Sequence, residues 1–117
     1  MLSSGSTEMI RPVLAKLIGP AADDVEVVAN TVVPREGFDS INEQGGSWRI
    51  EFRDKSVHGH DKSAAIKPYA NHVDGCEESD RPILLYAGDG ISDLSAAKET
   101  DLLHAKAGMG TSRALLS

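Results

Sequence analysis

Two aspartates near the end of an apolar run could do chemistry together. The run at residues 83–87 leads into a Gly-Asp-Gly turn that contains Asp89, and Asp93 lies one helical turn further on. The pattern predicts a strand buried on both faces, followed by a helix at 91–98. Both carboxylates would lie at the carboxyl end of that strand, where they could share a hard cation such as Mg²⁺. The alternative is a tight turn in which Asp89 or Ser92 caps the helix.

A hydroxyl-rich segment at the beginning of the sequence could bind an anion. Ser3, Ser4 and Gly5 follow a short apolar lead and precede residues 9–18, where apolar side chains recur with the period of a helix. Hydroxyls and backbone N–H groups at the N-terminus of a helix favour anions such as phosphate. Ordinary helix capping by the same residues is the alternative.

A lysine stands in the first turn of another predicted helix, from Asp61 to His72. A positive charge in the first turn interacts unfavourably with the helix dipole, so Lys62 could instead neutralise a bound phosphate. The alternative is a solvated surface lysine. His58 and His60 come just before it, but the sequence has no third His or Cys at a usual zinc spacing. A turn with exposed imidazoles is therefore favoured over a zinc site.

The remaining segments predict further strands. Residues 25–33 are rich in β-branched side chains, and residues 48–52 alternate apolar and charged side chains. The glycine-containing stretch at 34–47 between them reads as a loop or the outer part of a hairpin. A short final strand is predicted at 102–105. Strands that alternate with helices favour an α/β fold with a parallel sheet.

Composition narrows the class of protein. The 117 residues are 40% hydrophobic and 26% charged, which is typical of a globular domain. The net charge of −6 is spread evenly, so the sequence predicts no nucleic-acid partner. No apolar run is long enough to span a bilayer, so no membrane association is expected. The single cysteine, Cys76, lies in an acidic stretch, and the expected location is the cytoplasm.

Ser3, Lys62 and the segment Gly88-Asp89-Gly90-x-x-Asp93 occur in the order of three motifs of a known family. They resemble the second, third and fourth motifs of the haloacid-dehalogenase-like phosphatases, with the closest likeness to the phosphoserine-phosphatase-like branch. The resemblance implies a partial Rossmann-like core over residues 1–107. In that core, 34–47 forms a loop or hairpin excursion, and residues 108–117 form a weakly structured tail.

The resemblance also implies roles for individual residues. Ser3 would hydrogen-bond a phosphoryl oxygen, in a phosphate-binding segment that includes Ser4 and Gly5. Lys62 would bind phosphate and offset negative charge in the transition state. Asp89 would complete the Mg²⁺ shell, and Asp93 would support that shell or bind the metal through water. The implied activity is Mg²⁺-dependent hydrolysis of a small phosphorylated metabolite.

The sequence departs from the family at its first motif. The family's nucleophile lies in an Asp-x-Asp pair, and no such pair occurs among the 117 residues. We therefore expect a fragment that lacks the first strand and the cap and that is inactive as an isolated chain. An exposed sheet edge could then lead to self-association. A non-catalytic module that binds phosphate and Mg²⁺, or a structural α/β domain, are the alternatives.

Overall fold

The computed structural model describes residues 1–57, 60–90 and 93–106 of the chain. The chain has an α/β fold with parallel strands, and it divides into two compact units, Met1–His60 and Asp61–Ser117. Within the described ranges, no helix has the length and apolar character needed to cross a bilayer.

The first unit contains a three-stranded sheet in the order β1-β2-β3. Its strands are β1 (Leu2–Ser6), β2 (Val28–Pro34) and β3 (Trp48–Glu51). β1 runs parallel to β2, while β2 and β3 are antiparallel, with Val32 opposite Ile50. The stretch at 34–47 was predicted as a loop or the outer part of a hairpin, and residues 35–47 connect the two antiparallel strands.

Helix α1 (Thr7–Ile18) connects β1 to β2, together with a 3-10 helix at Gly19–Asp24. The helix ends at Ile18, in agreement with the helical period predicted over residues 9–18, and Gly19 is its C-cap residue. This glycine has φ of 62°, a left-handed value that glycine adopts without a Cβ penalty, and its N–H donates to the carbonyl of Ala15. Pro12 lies inside α1, but the helix continues past it.

The structure corrects the expectation for the first residues of the sequence. Ser3, Ser4 and Gly5 were predicted as a hydroxyl-rich segment between a short apolar lead and a helix, yet all three belong to the strand β1. The pairing is supplied by β2, because Leu2 lies opposite Val28 and Ser6 opposite Asn30, with an irregularity between these two points. Non-local hydrogen bonding therefore makes a strand from a segment of weak β-propensity.

The second unit contains α2 (Lys62–Asp74), β4 (Leu85–Gly88), α3 (Asp93–Ala97) and β5 (Leu102–Ala105). β4 and β5 form a parallel two-stranded sheet, which agrees with the predicted α/β arrangement. Pro68 lies inside α2, where a proline is expected to bend or shorten a helix. The helix nevertheless extends two residues beyond the predicted end at His72.

The prediction that the run at 83–87 is buried on both faces was wrong. Ile83 is 66% exposed and Leu85 is 62% exposed. Among the residues that the structure describes, β4 has β5 as its strand partner, and alternate side chains of β4 face solvent. The apolar character of the run predicts a strand, but it does not predict how many other strands or helices cover the faces of that strand.

Three expectations lie partly or wholly outside the described residues. They concern His58, the beginning of the helix predicted at 91–98, and the tail at 108–117. A single core over residues 1–107 also stays a prediction.

Candidate functional site

Asp93 is the centre of a polar cluster in the second unit. Its Oδ1 accepts hydrogen bonds from the Lys62 ammonium at 2.5 Å and from the Tyr86 hydroxyl at 2.8 Å. Its Oδ2 accepts from the backbone N–H groups of Asp89 at 3.0 Å and Gly90 at 2.9 Å. These four bonds fill the acceptor positions of a carboxylate. A metal ion bound directly to Asp93 would have to displace one of them.

The Lys62–Asp93 pair is buried. Asp93 is 3% exposed and Lys62 is 9% exposed. Burial by itself would raise the pKa of Asp93, but hydrogen bonds from Lys62, Gly90 and Tyr86 outweigh it and hold that pKa below its usual value. Asp93 is therefore a carboxylate at neutral pH, and the alternative of a solvated Lys62 does not apply.

Tyr86 and Gly88 of β4 lie directly against this carboxylate. Burial and the bond to Asp93 raise the pKa of the Tyr86 phenol well above its usual range, so the hydroxyl stays a donor. A Cβ on Gly88 would lie 2.5 Å from Cγ of Asp93. Since no real Cβ contact is that short, the glycine is required for the close approach of Asp93 to β4.

Helix α2 positions Lys62. Asp61 is its N-cap, and the Asp61 side chain accepts from the N–H of Ala64 at 3.2 Å. The buried face of the helix consists of Lys62 and three apolar residues, Ile66, Ala70 and Val73. Ser63 donates to Glu99 at 2.8 Å and joins α2 to the turn that follows α3. Lys62 therefore sits on a helix that is fixed at its first turn and along its apolar face.

A second ion pair holds the segment that leads into β4. Arg81 donates to both carboxylate oxygens of Asp101, each at 3.0 Å, and to Asp74 at 3.0 Å. Asp101 also accepts from the N–H of Leu84 at 2.8 Å. The hydrogen bonds from Arg81 and Leu84 lower the pKa of Asp101. This network fixes the beginning of the strand whose end carries the cluster.

Asp89 is the described residue best suited to a magnesium ion at this strand end. Its backbone N–H is tied to Asp93, and it lies on the exposed side of the turn. The described ranges contain no group of three or more His, Cys, Asp or Glu side chains placed to share a metal. Mg²⁺ often takes one or two carboxylates and completes its shell with water and substrate phosphate. The donor type of Asp89 fits that pattern, and its carboxylate would supply one ligand of such a shell.

The predicted phosphate-binding residues Ser3, Ser4 and Gly5 lie in the first unit. Ser3 Oγ accepts from the N–H of Gly5 at 3.0 Å. The carbonyl of Ser4 accepts from the Asn30 side chain at 2.9 Å. Ser6 is the N-cap residue of α1, but its hydroxyl makes no capping bond, and it is buried without a hydrogen-bond partner. The capping alternative is therefore not how these hydroxyls are used.

Sequence reasoning missed two polar residues. Tyr86 was taken as part of an apolar run, although its hydroxyl is the one polar group in that run and could have indicated a partner. Asn30 was taken as a strand residue, but it is 2% exposed and its side chain bonds both Ser4 and the N–H of Arg53. A polar amide inside a β-branched run was the available signal, because buried amides need partners.

The histidine segment also differs from expectation. His60 is 4% exposed, so the prediction of exposed imidazoles in this turn was wrong for His60. Its Nδ1 lies 3.5 Å from Asp54 Oδ2, and its Nε2 is buried without a hydrogen-bond partner. The polar neighbour Asp54 explains why an imidazole is tolerated inside the first unit.

Comparison with known proteins finds two curated relatives. The chain is 43% identical over 109 residues to Pdp3-interacting factor 1 of Schizosaccharomyces pombe, and 38% identical over 111 residues to the polyol phosphate phosphatase PYP1 of Saccharomyces cerevisiae. Each match covers 92% of this chain but only 42% and 43% of the relatives, so the chain spans less than half of their length. No family model and no solved structure matches. The chain is thus homologous to part of a protein named as a phosphatase.

Proposed function

We propose that this chain carries the lysine- and metal-binding part of a Mg²⁺-dependent phosphatase site of the haloacid-dehalogenase type. The observation that carries the proposal is the buried Lys62–Asp93 pair beside Asp89, at the carboxyl end of β4. Ligands of open α/β sheets bind at such strand ends. The name of the Saccharomyces relative supports a phosphatase and suggests a polyol phosphate as the substrate class.

Burial of the ion pair argues for a binding role rather than a stabilising one. Removing two charges from water costs about as much as their attraction returns, so a buried pair contributes little net stability compared with apolar residues. An ammonium has three donors and can contact Asp93 and a phosphoryl oxygen at once. In this proposal Asp93 orients Lys62, and Lys62 stabilises negative charge on the phosphoryl group.

Asp89 would hold the metal ion in this proposal. A bound Mg²⁺ would neutralise phosphate charge and orient the phosphoryl group. The two bonds from the turn to Asp93 keep the Asp89 backbone fixed, which leaves its carboxylate on the exposed side. In this proposal Lys62 and Asp89 of the second unit bind and orient phosphate.

The absence of an Asp-x-Asp pair from the 117 residues favours a second candidate function. Phosphatases of this type need that pair for nucleophilic attack. A chain that keeps Lys62 and Asp89 without it would bind phosphate and Mg²⁺ but would not turn substrate over. We expect no hydrolysis of an aryl phosphate by the chain alone. Mg²⁺-dependent turnover that Asp89→Asn abolishes would reveal a nucleophile elsewhere in the chain.

The phosphatase and the non-catalytic binding module both require phosphate binding at Lys62. Calorimetric titration with inorganic phosphate tests this binding. We expect binding that is strengthened by Mg²⁺ and weakened at least about tenfold by Lys62→Met, since one lost charge-assisted hydrogen bond costs about 1.5–3 kcal/mol. Lys67→Met on the exposed side of the same helix is the matched control. Equal affinities for the two variants would remove Lys62 from the phosphate site.

A separate pair of variants tests whether Asp89 binds the metal ion. Asp89→Asn should abolish the strengthening by Mg²⁺ while weak phosphate binding in its absence persists. Asp80→Asn removes the same charge from another exposed position of the second unit and should change neither quantity. If Asp89→Asn leaves the Mg²⁺ effect intact, the assignment of Asp89 to the metal is wrong.

A further inference from the structure

The outer edge of β3 is exposed. β3 is the last strand in the order β1-β2-β3, and within the described ranges no strand lies on its other side. All four of its residues are exposed, including Trp48 at 50% and Ile50 at 42%. Phe52, which follows directly, is 60% exposed. An edge strand with bare N–H and C=O groups and large apolar side chains is a template for pairing with another strand.

The residues of this edge are self-complementary in sequence. They read Trp48-Arg49-Ile50-Glu51-Phe52, so the residues on either side of Ile50 carry opposite charges and the next two are both aromatic. In an antiparallel pairing of two copies centred on Ile50, each Arg49 would face a Glu51. Each Trp48 would face a Phe52, and the two Ile50 side chains would meet on the two-fold axis. Opposite charges and aromatic pairs are favourable cross-strand neighbours.

We propose that β3 is the interface of a two-fold homodimer in which the β3 strands of two copies pair antiparallel about Ile50. The occupant of the edge is a second copy of this chain, because a single sequence supplies both members of every pair. A two-fold interface requires this kind of self-complementarity. The two copies would join their three-stranded sheets into one six-stranded sheet.

The ion pair between Arg49 and Glu51 within one copy can be replaced by ion pairs between two copies. Arg49 and Glu51 lie 3.5 Å apart on the same face of β3, with side chains 53% and 60% exposed. An exposed pair of this kind contributes little to stability and is easily rearranged. In the dimer each charge keeps a partner of opposite sign across the interface, so pairing costs no unpaired charge. The opposite face of the strand gains the aromatic contacts.

Reversal of one charge tests the register. Arg49→Glu would place a glutamate opposite Glu51 twice in each dimer, and Glu51→Arg would place two arginines opposite each other. We expect each single variant to weaken dimerisation about ten- to hundredfold, as measured by sedimentation equilibrium at protein concentrations up to about 1 mM. The double variant R49E/E51R restores every opposite-charge pair and should restore the dimer.

The double variant also separates pairing from folding. Its composition and net charge equal those of the wild type, so recovery cannot come from overall charge. Circular dichroism should be the same for all four proteins. A wild type that stays monomeric throughout this concentration range would overturn the proposal, as would a dimer that survives both single reversals. A dimer lost in the single variants and not recovered in the double variant would also overturn the antiparallel register.

A cysteine placed on the two-fold axis gives an independent readout. Cα atoms of directly opposite residues in an antiparallel pair are about 4.5–5.5 Å apart, within the range that a disulfide bridges. In a background with Cys76→Ser, Ile50→Cys should cross-link to itself under mild oxidation. Val57→Cys is the control, because Val57 is 96% exposed but lies outside β3. Equal cross-linking of the two variants would show random collision and contradict the proposed interface.

Discussion

Helices α1 and α2 differ in what they bury. α1 in the first unit has twelve residues and none of them is buried, although its apolar residues recur with a regular helical period. α2 in the second unit has thirteen residues, a weaker apolar pattern and four buried positions, one of which is Lys62. Met9 and Leu17 of α1 are each 72% exposed. An apolar pattern therefore predicts a helix, but not the presence of a surface that covers it.

The two units also differ in the contacts that the structure describes for their side chains. In the second unit the cluster at Asp93 is closed, since donors fill every acceptor position of the carboxylate. In the first unit apolar side chains of α1 and β3 remain in contact with water. We infer that stability in the second unit depends on the particular contacts of this cluster, while truncation of the exposed apolar side chains of α1 costs little. The predictions below test this difference, from the largest effect to the smallest.

The largest loss is expected when the charge of Asp93 is removed. Asp93→Asn keeps the shape of the side chain but leaves Lys62 buried without its counter-ion, which typically costs about 3–5 kcal/mol. Urea unfolding followed by circular dichroism measures this free energy. Asp80→Asn, at an exposed position, should change it by less than about 0.5 kcal/mol. A loss below about 1 kcal/mol for Asp93→Asn would mean that the pair is not buried as described.

Truncation of apolar residues compares the two helices directly. Ile66→Ala in α2 removes a buried side chain and should cost about 2–4 kcal/mol. Leu17→Ala in α1 removes a side chain that is already exposed, so a change within about 0.5 kcal/mol is expected. Both are read from the same urea transitions. Similar losses in the two helices would break the comparison, because Leu17 would then be covered in solution.

A methyl group at Gly88 should disturb the cluster. In Gly88→Ala the new Cβ would overlap the Asp93 carboxylate, so either the side chain or β4 must move. The expected cost is about 1–3 kcal/mol, together with weaker phosphate binding in the calorimetric titration. Gly75→Ala is the matched control, since its Cβ would lie 3.5 Å from the nearest atom, an ordinary contact. If both alanine variants behave alike, Gly88 has no special role.

The stabilisation by Asp93 should depend on pH. Because its pKa is lower in the folded chain than in the unfolded chain, the stabilisation is complete above the unfolded value of about 4 and is lost as the pH falls through the folded value. The difference in unfolding free energy between wild type and Asp93→Asn should therefore be constant near neutral pH and shrink below about pH 4. A difference that grows on acidification would contradict the lowered pKa.

Local sequence signals were enough to predict most elements of the fold. The N-cap at Asp61, the stop at Gly19 and the alternation in β3 each act over a few residues, and the corresponding elements occur where they were expected. β1 and the exposure of β4 depend on partners distant in sequence. No pattern within Ser3 to Gly5 or residues 83–87 could have predicted them.

Sequence reasoning singled out Lys62, Asp89 and Asp93 of the cluster, but not the hydrogen bonds that join them; the functional roles of these residues stay predictions. The spacing of Asp89 and Asp93 predicted two carboxylates at one strand end, and the odd placement of Lys62 suggested a use for its charge. The pairing of Lys62 with Asp93 requires that α2 and α3 pack together. Neither the motif around Lys62 nor the motif at 88–93 predicts this packing. The same packing explains why Tyr86 was missed, since its partner lies on another element.

The assignment of Lys62 and Asp93 to a phosphatase site is tested most directly in a chimaera with the Saccharomyces relative. A chimaera in which this chain replaces the aligned 111 residues of PYP1 would be assayed for hydrolysis of a polyol phosphate. The account predicts Mg²⁺-dependent activity that Lys62→Met abolishes and that Lys67→Met preserves. A folded chimaera with activity that is equally insensitive to both substitutions would contradict the assignment of Lys62 and Asp93 to the phosphatase site.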